Sequence, residues 1–149
     1  MRRIKFTFPN GMQVSARLLD ETESELSQSL WDTLERPVRF ICHNTLSSGS
    51  AFGAYMRPPR EPVEAGYQGR PVGHNSVSYT KIKMGEMVWT GTRFLVVYGP
   101  CTEPGIVGAV VVKVDEADLG KYEEACNDVW YHTYHYHKLA VLTAEREAE

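Results

Sequence analysis

Near the start of the chain, in residues 3–20, apolar and polar side chains alternate. In "RIKFTFPNGMQVSARLLD" two alternating stretches flank Pro9, Asn10 and Gly11, and a period of two is typical of strands with one buried face. A two-residue loop would set the apolar face of one strand against the polar face of the other, whereas a three-residue loop pairs Phe6 with Val14. The sequence therefore predicts a β-hairpin in which Gly11 takes the left-handed conformation.

The period then changes to that of an α-helix in "DETESELSQSLWDTLERP". Thr22 and Glu25 have the spacing of a capping box, and Pro37 predicts the end of the helix. A second helical pattern begins near Ala117 and runs into a histidine-rich segment. The apolar positions are Leu26, Leu30 and Leu34 in the first helix, and Leu119, Tyr122, Cys126, Val129, Thr133 and Tyr136 in the second.

The other apolar segments are short and rich in β-branched residues, which favours strands. These segments are "VRFICHN", "AFGAYM", "EMVW", "RFLVVYG", "IVGAVVVKV" and "KLAVLTAE". The nearly continuous apolar runs predict strands buried on both faces or closing a barrel. Between Arg57 and Glu86 the chain is rich in Pro and Gly, which predicts one long loop of the kind that is usually functional or mobile.

The order of these elements resembles that of a family of small uncharacterised bacterial proteins with a cyclophilin-like fold. The resemblance is carried by the opening hairpin, "SELSQSLWDTL", the Ser48-Gly49 turn before "AFGAYM", "MGEMVW" before "RFLVVYG", and "IVGAVVVKV". It implies a mainly β protein, a closed eight-stranded barrel with two helices, formed as one domain by residues 1–149. It also implies that side chains fill the interior, so that a ligand would be held on an outer face or at a rim.

Related cyclophilin-like domains occur in peptidyl-prolyl isomerases and in bacterial enzymes that act on small amides such as 5-oxoproline and allophanate. The isomerases carry an Arg in a Phe-His-Arg motif and a later Phe-Met-x-Gln-Gly-Gly segment. The corresponding region here, "FICHNTLSSGSAFGAYM", has Asn44 after His43 and lacks Gln-Gly-Gly. Because the groups that would polarise a prolyl amide are missing, we do not expect prolyl isomerisation, and a residual peptidyl-prolyl isomerase is the third and least favoured functional alternative.

Composition excludes some classes of partner. The net charge is -3 and there is no run of Lys or Arg, so binding to nucleic acid is not expected. No apolar run is long enough for a signal peptide or a membrane span, which predicts a cytoplasmic protein without a membrane partner. The three cysteines lack metal-binding spacing and are predicted to be free thiols, with Cys42 and Cys126 buried and Cys101 exposed in a loop.

Candidate ligand-binding residues cluster around the predicted strand-turn segment and the long loop. An arginine there could bind a carboxylate and a histidine could transfer a proton, although Arg57 pairing with Glu61 or Glu64 at the surface is an alternative. The leading hypothesis is a small polar metabolite bound, with turnover as a further option, at a rim formed by the 57–86 loop, without a cofactor. The candidate residues are His43, Asn44, Ser48, Arg57, His74 and Tyr98.

Three histidines in "WYHTYHYHKLAV" raise the question of a metal site. A metal needs several ligands that converge on one point. On a helix Asp128, His132 and His135 share a face, whereas on a strand His135 and His137 do. No single conformation aligns the three imidazoles, so we predict no metal there; a metal site and a subunit contact are the alternatives.

The same segment also predicts association. Trp130, Tyr131 and Tyr134 cannot all lie on the buried face of one helix, so at least one large aromatic side chain should be exposed. Exposed apolar patches often mark interfaces, and twofold assemblies are the commonest. The sequence therefore predicts a homo-oligomer, most simply a dimer, and a non-catalytic oligomerisation or interaction subunit is the rival function.

Overall fold

The computed structural model describes residues 1–45, 47–57, 73–103 and 105–148. Two α-helices lie within these ranges, α1 at Ser24–Thr33 and α2 at Leu119–Tyr134. The strands there are β1 Arg3–Thr7, β2 Gln13–Leu18, β3 Val38–Asn44, β4 Gly49–Tyr55, β5 Ser76–Ser78, β6 Glu86–Trp89, β7 Arg93–Cys101, β8 Val107–Val114 and β9 Val141–Arg146.

Eight of these strands form a closed antiparallel barrel. Their order is β2-β1-β9-β3-β4-β7-β6-β8, and β2 pairs with β8 to complete the circle. The predicted mainly β fold, an eight-stranded barrel with two helices, is therefore confirmed. The prediction of one loop from 57 to 86 is wrong in its second half, where β5 pairs with the start of β8 and a 3₁₀ turn follows at Tyr79–Lys81. Residues 58–72 of that loop lie outside the described residues.

The opening hairpin has the predicted register. Phe6 pairs with Val14, and the N–H of Phe8 donates to the carbonyl of Met12 at 2.9 Å. Gly11 has a φ of 88°, so the three-residue loop uses glycine where other residues would be strained. The apolar residues of both strands consequently point into the barrel.

Aromatic side chains fill the barrel interior. Phe40, Trp89 and Phe94 are fully buried, with ring centroids 4.8–6.1 Å apart, and Phe6 contacts Phe94 edge-on at 5.5 Å. Burying one such side chain stabilises the fold by about 1.5–3 kcal/mol. The interior is thus a packed core, so a ligand site has to lie outside it.

The helices cover the barrel. The end of α2 and the start of α1 differ from what the sequence predicts. Tyr122 of α2 is buried and its hydroxyl donates to the carbonyl of Val97 at 2.6 Å. α2 ends at Tyr134, so Tyr136 does not extend the apolar face and is exposed. Among the described residues, no helix is both long and apolar enough to span a bilayer.

The predicted capping box of α1 is wrong. The Thr22 hydroxyl donates backwards to the carbonyl of Leu19, and Glu23 is the cap residue without a side-chain bond to the helix. The Glu23 carboxylate is instead buried and accepts the backbone N–H groups of His74 and Asn75, the former at 2.9 Å. A tertiary contact has therefore replaced local capping, and it anchors the chain just before β5.

The contribution of the Glu23 carboxylate to folding stability can be measured. Glu23→Ala leaves two backbone N–H groups without their acceptors, so we expect the free energy of unfolding to fall by about 2–3 kcal/mol. Glu23→Gln retains one acceptor oxygen and should lose less. Urea denaturation measures both, with the exposed Glu25→Ala as a control that should change stability by less than about 0.5 kcal/mol. Equal stability of the two alanine variants would contradict this role.

Candidate ligand-binding groove

A groove lies on the outer face of the barrel where β3, β4 and β7 run side by side. His43 pairs with Gly53, and Gly53 pairs with Leu95, so these three residues form one outward-facing row. In the neighbouring row, Tyr55 pairs with Arg93. The cavity above these rows has a volume of about 220 Å³. We call it the first groove.

Gly53 allows the Tyr55 side chain to fold across the groove. A Cβ at Gly53 would lie 2.6 Å from Cε2 of Tyr55, so only glycine leaves room for this position of the ring. The ring also meets the His43 imidazole edge-on, with centroids 5.2 Å apart, and the Arg93 guanidinium carbon lies 5.7 Å from its centroid. Tyr55 is thus held by an imidazole and a cation.

Two turns place a carboxylate at the groove. Glu103, in the β7–β8 turn, accepts the Ser48 hydroxyl at 3.4 Å and the Ser47 hydroxyl at 3.1 Å. Thr45 and Ser48 also share a hydrogen bond between their hydroxyls. The N–H of Thr102 donates to the carbonyl of Ser48 at 3.0 Å, which ties the two turns together. Hydroxyl and carboxylate oxygens are therefore positioned by backbone as well as side-chain contacts.

Tyr79 forms another wall of the groove. It belongs to the 3₁₀ turn after β5, is 8% exposed, and donates its N–H to the carbonyl of Ile106 at 2.9 Å. Burial raises the pKa of Tyr79, and the nearby charge of Arg93 opposes this shift. The hydroxyl consequently stays protonated at neutral pH and can donate a hydrogen bond.

The structure brings only some of the predicted site residues together. His43 and Ser48 line the first groove, whereas Arg57 lines a neighbouring depression together with His43 and Tyr55. The alternative pairing of Arg57 with Glu61 or Glu64 lies outside the described residues.

The other three candidates line neither cavity. Asn44 faces α2, where its side chain donates to the Thr133 hydroxyl at 3.4 Å. His74 lies beside α1, with its Nε2 4.0 Å from the Glu25 carboxylate. Tyr98 is a core residue that is 8% exposed, and burial raises the pKa of its hydroxyl.

Among the groove residues that the sequence reasoning missed are the four with charged or phenolic side chains: Tyr55, Tyr79, Arg93 and Glu103. Two of them, Tyr55 and Arg93, could have been predicted from the sequence pattern. Antiparallel pairing of "AFGAYM" with "RFLVVYG" places these two residues in one outward-facing row. The other two are positioned by turns that carry no comparable periodic signal.

The three cysteines are all buried. Cys42 and His43 are adjacent on β3 and point to opposite faces, as predicted, and burial raises the pKa of Cys42 to about 12. Burial likewise raises the pKa of Cys126 well above its usual value. The prediction that Cys101 is exposed is wrong, since it is 5% exposed beneath Tyr79 and Ile82. All three are free thiols, and the high pKa values of Cys42 and Cys126 make them poor nucleophiles at neutral pH.

The three clustered histidines have different neighbours. Nδ1 of His132 lies 3.3 Å from the Asp128 carboxylate, and the His135 ring lies 4.9 Å from the Tyr131 ring. His137 follows the helix with a φ of 50°. Within the described ranges, no three His, Cys, Asp or Glu side chains are placed to hold a metal ion. The absence of a metal at this segment stays a prediction.

The fit between Gly53 and Tyr55 can be tested with a double-mutant cycle. Gly53→Ala should cost about 0.5–1.5 kcal/mol of folding stability, because the half-exposed Tyr55 ring has to move away from the new methyl group. In a Tyr55→Ala background the same change should cost almost nothing, since the ring is gone. Gly120→Ala in α2, where a Cβ meets no atom within 4 Å, is the control and should not destabilise. Equal costs in both backgrounds would show that the ring does not occupy this space.

Comparison with known proteins identifies the fold but no family. No protein-family model and no curated protein matches this chain. A solved structure of McbB in complex with tryptophan superposes with a TM-score of 0.83 and 24% sequence identity. The match covers 98% of this chain and 45% of the McbB chain, so this chain spans less than half the length of McbB. The two proteins are therefore similar in the fold of the barrel.

Proposed function

We propose that the protein binds a small zwitterionic metabolite with a ring, of the aromatic amino acid class, in the first groove. The observation that carries this proposal is the presence of Arg93 and Glu103 in one groove with Tyr55 and Tyr79. The two charges act on the Tyr79 hydroxyl in opposite directions, since Arg93 lowers its pKa and Glu103 raises it. A groove that contains one positive and one negative side chain suits a ligand that carries one negative and one positive group.

Each group of such a ligand has a matching partner. A guanidinium binds a carboxylate through two parallel hydrogen bonds, so Arg93 is the carboxylate partner. Glu103 accepts hydrogen bonds from the ammonium group, and the two tyrosines with Leu95 and Ile106 contact the ring. The volume of about 220 Å³ lies below the 300–1,000 Å³ typical of drug-sized ligands, which favours a molecule as small as an amino acid.

Two further facts support a ligand of this class. McbB, which shares the barrel fold, has been solved in complex with tryptophan. Tyr79 belongs to the 57–86 segment, which is the part of the chain that the sequence associates with a ligand rim. Turnover of the bound molecule would need a proton carrier, and His43 at the groove edge has that chemistry.

The proposal is tested by calorimetric titration with L-tryptophan and with indole-3-propionate, which lacks the amino group. Arg93→Gln should weaken binding of both by about tenfold or more, because both lose a charged hydrogen bond. Glu103→Gln should weaken only tryptophan. The controls are Arg36→Gln and Glu116→Gln, and melting temperatures establish that all variants are folded. Absence of tryptophan binding at millimolar concentration, or equal binding by Arg93→Gln and the parent, would refute the proposal.

A second candidate function, a homodimeric interaction subunit, is favoured by exposed apolar side chains in the last turn of α2 and in the segment that follows it. Tyr131 is 48% exposed, Tyr136 is 61% exposed and Leu139 is 69% exposed. The expectation of at least one exposed aromatic in this segment is confirmed. Exposed apolar side chains that form a patch on a surface are typical of contacts between proteins.

Light scattering coupled to gel filtration tests the dimer. We expect twice the chain mass at micromolar concentration and a monomer for Tyr131→Ser/Tyr136→Ser, which removes the aromatic contact. A Thr80→Ala variant changes an exposed residue outside this segment and should remain dimeric. A parent protein that is monomeric under these conditions would reject the dimer.

A further inference from the structure

A second cavity lies beside the first groove, on the outer face of β9, β3 and β4. Its volume is about 430 Å³, and we call it the second groove. Ile41 lies between Val141 of β9 and Tyr55 of β4 in one outward row. Two residues earlier in β3, Arg39 occupies the next outward row. Besides His43 and Tyr55, the lining consists of Arg39, Ile41, Met56, Arg57, Leu139 and Val141.

Two arginines line this groove, Arg39 and Arg57. Arg39 lies two residues before Ile41, and Arg57 lies two residues after Tyr55, which is the partner of Ile41 on β4. Both side chains are exposed. Among the described residues neither guanidinium has an ion-pair partner, whereas Arg3 binds both Asp115 and Glu147. Two positive charges that face one cavity favour an anionic occupant.

Apart from His43, the rest of the described lining is apolar and accessible. Ile41 is 38% exposed, Tyr55 is 39% exposed and Leu139 is 69% exposed. None of the described residues that line the cavity is acidic. A ligand that matches both the apolar lining and the two arginines has an apolar body and an anionic group. A planar carboxylate fits best, because an arginine guanidinium can donate two parallel hydrogen bonds to it.

We propose that the second groove is a separate binding site for a small amphipathic carboxylate of the medium-chain acyl or aryl class. Arg39 and Arg57 bind the carboxylate, and Ile41, Leu139 and Val141 contact the apolar body. The site does not depend on the amino acid proposal, because it uses neither Arg93 nor Glu103.

The probe is octanoate, with octanol as the matched molecule without charge, and binding is followed by chemical-shift titration. Octanoate should bind at least tenfold more tightly than octanol, and its affinity should fall as salt is raised. Arg39→Gln/Arg57→Gln should lower octanoate affinity by tenfold or more and leave octanol unchanged. The double variant should melt close to the parent, because both side chains are exposed.

Two control variants make the result specific. Arg36→Gln/Lys83→Gln removes the same number of exposed positive charges elsewhere and should bind octanoate like the parent. Glu103→Gln should do so as well, which separates this site from the first groove. Equal affinity for octanoate and octanol, or octanoate binding that survives loss of both arginines, would overturn the proposal. So would a changed oligomeric state of the arginine variant with unchanged octanoate affinity, which would make the groove a contact between chains.

Discussion

The pairing of β2 with β8 is the constraint on which the rest of the structure depends. Ala16 lies opposite Val114 and Leu18 opposite Val112, and these contacts join the two ends of the sheet. Closure leaves no free edge on the eight-stranded circle, and an eight-stranded barrel is just wide enough for its own side chains to fill. Aromatic rings occupy that space here. Recognition therefore has to use the outer face.

Within the part of the chain that the structure describes, only part of the outer face of the barrel is covered by a second layer of side chains. Tyr79 and Ile82 cover Val97 and Cys101, so β7 is buried on both faces at that point. Beyond this layer the outward residues of β4 and β3 are exposed, and both cavities lie there. The short segment from β5 to the 3₁₀ turn thus determines where the apolar exterior ends and where polar side chains become accessible. Glu23 holds that segment in place from α1.

Periodicity predicts the barrel well and the groove only in part. The alternation around Gly11 is sufficient to fix the hairpin register, because only one loop length buries a single face. The burial of Cys101 could not be derived in this way. Whether a residue near a turn is buried depends on which distant segment of the chain packs against it. Thr22 has the right local spacing for a cap, yet the buried Glu23 carboxylate is engaged by His74 and Asn75. His43 and Ser48 were accessible to prediction because they lie where a strand meets a turn, whereas Tyr79 and Glu103 depend on contacts distant in sequence.

The position of Tyr55 has a thermodynamic consequence. Its ring borders both grooves and is supported on one side by His43 and on the other by Arg93. A molecule that displaces the ring from one cavity changes the shape of the other at the same time. Such a shared wall is an element through which two occupants acquire a coupling free energy, and linkage requires each to alter the affinity of the other by the same factor. The ring of Tyr55 fits in this position because Gly53 has no side chain. This single ring is thus sufficient to couple two adjacent surfaces of the barrel.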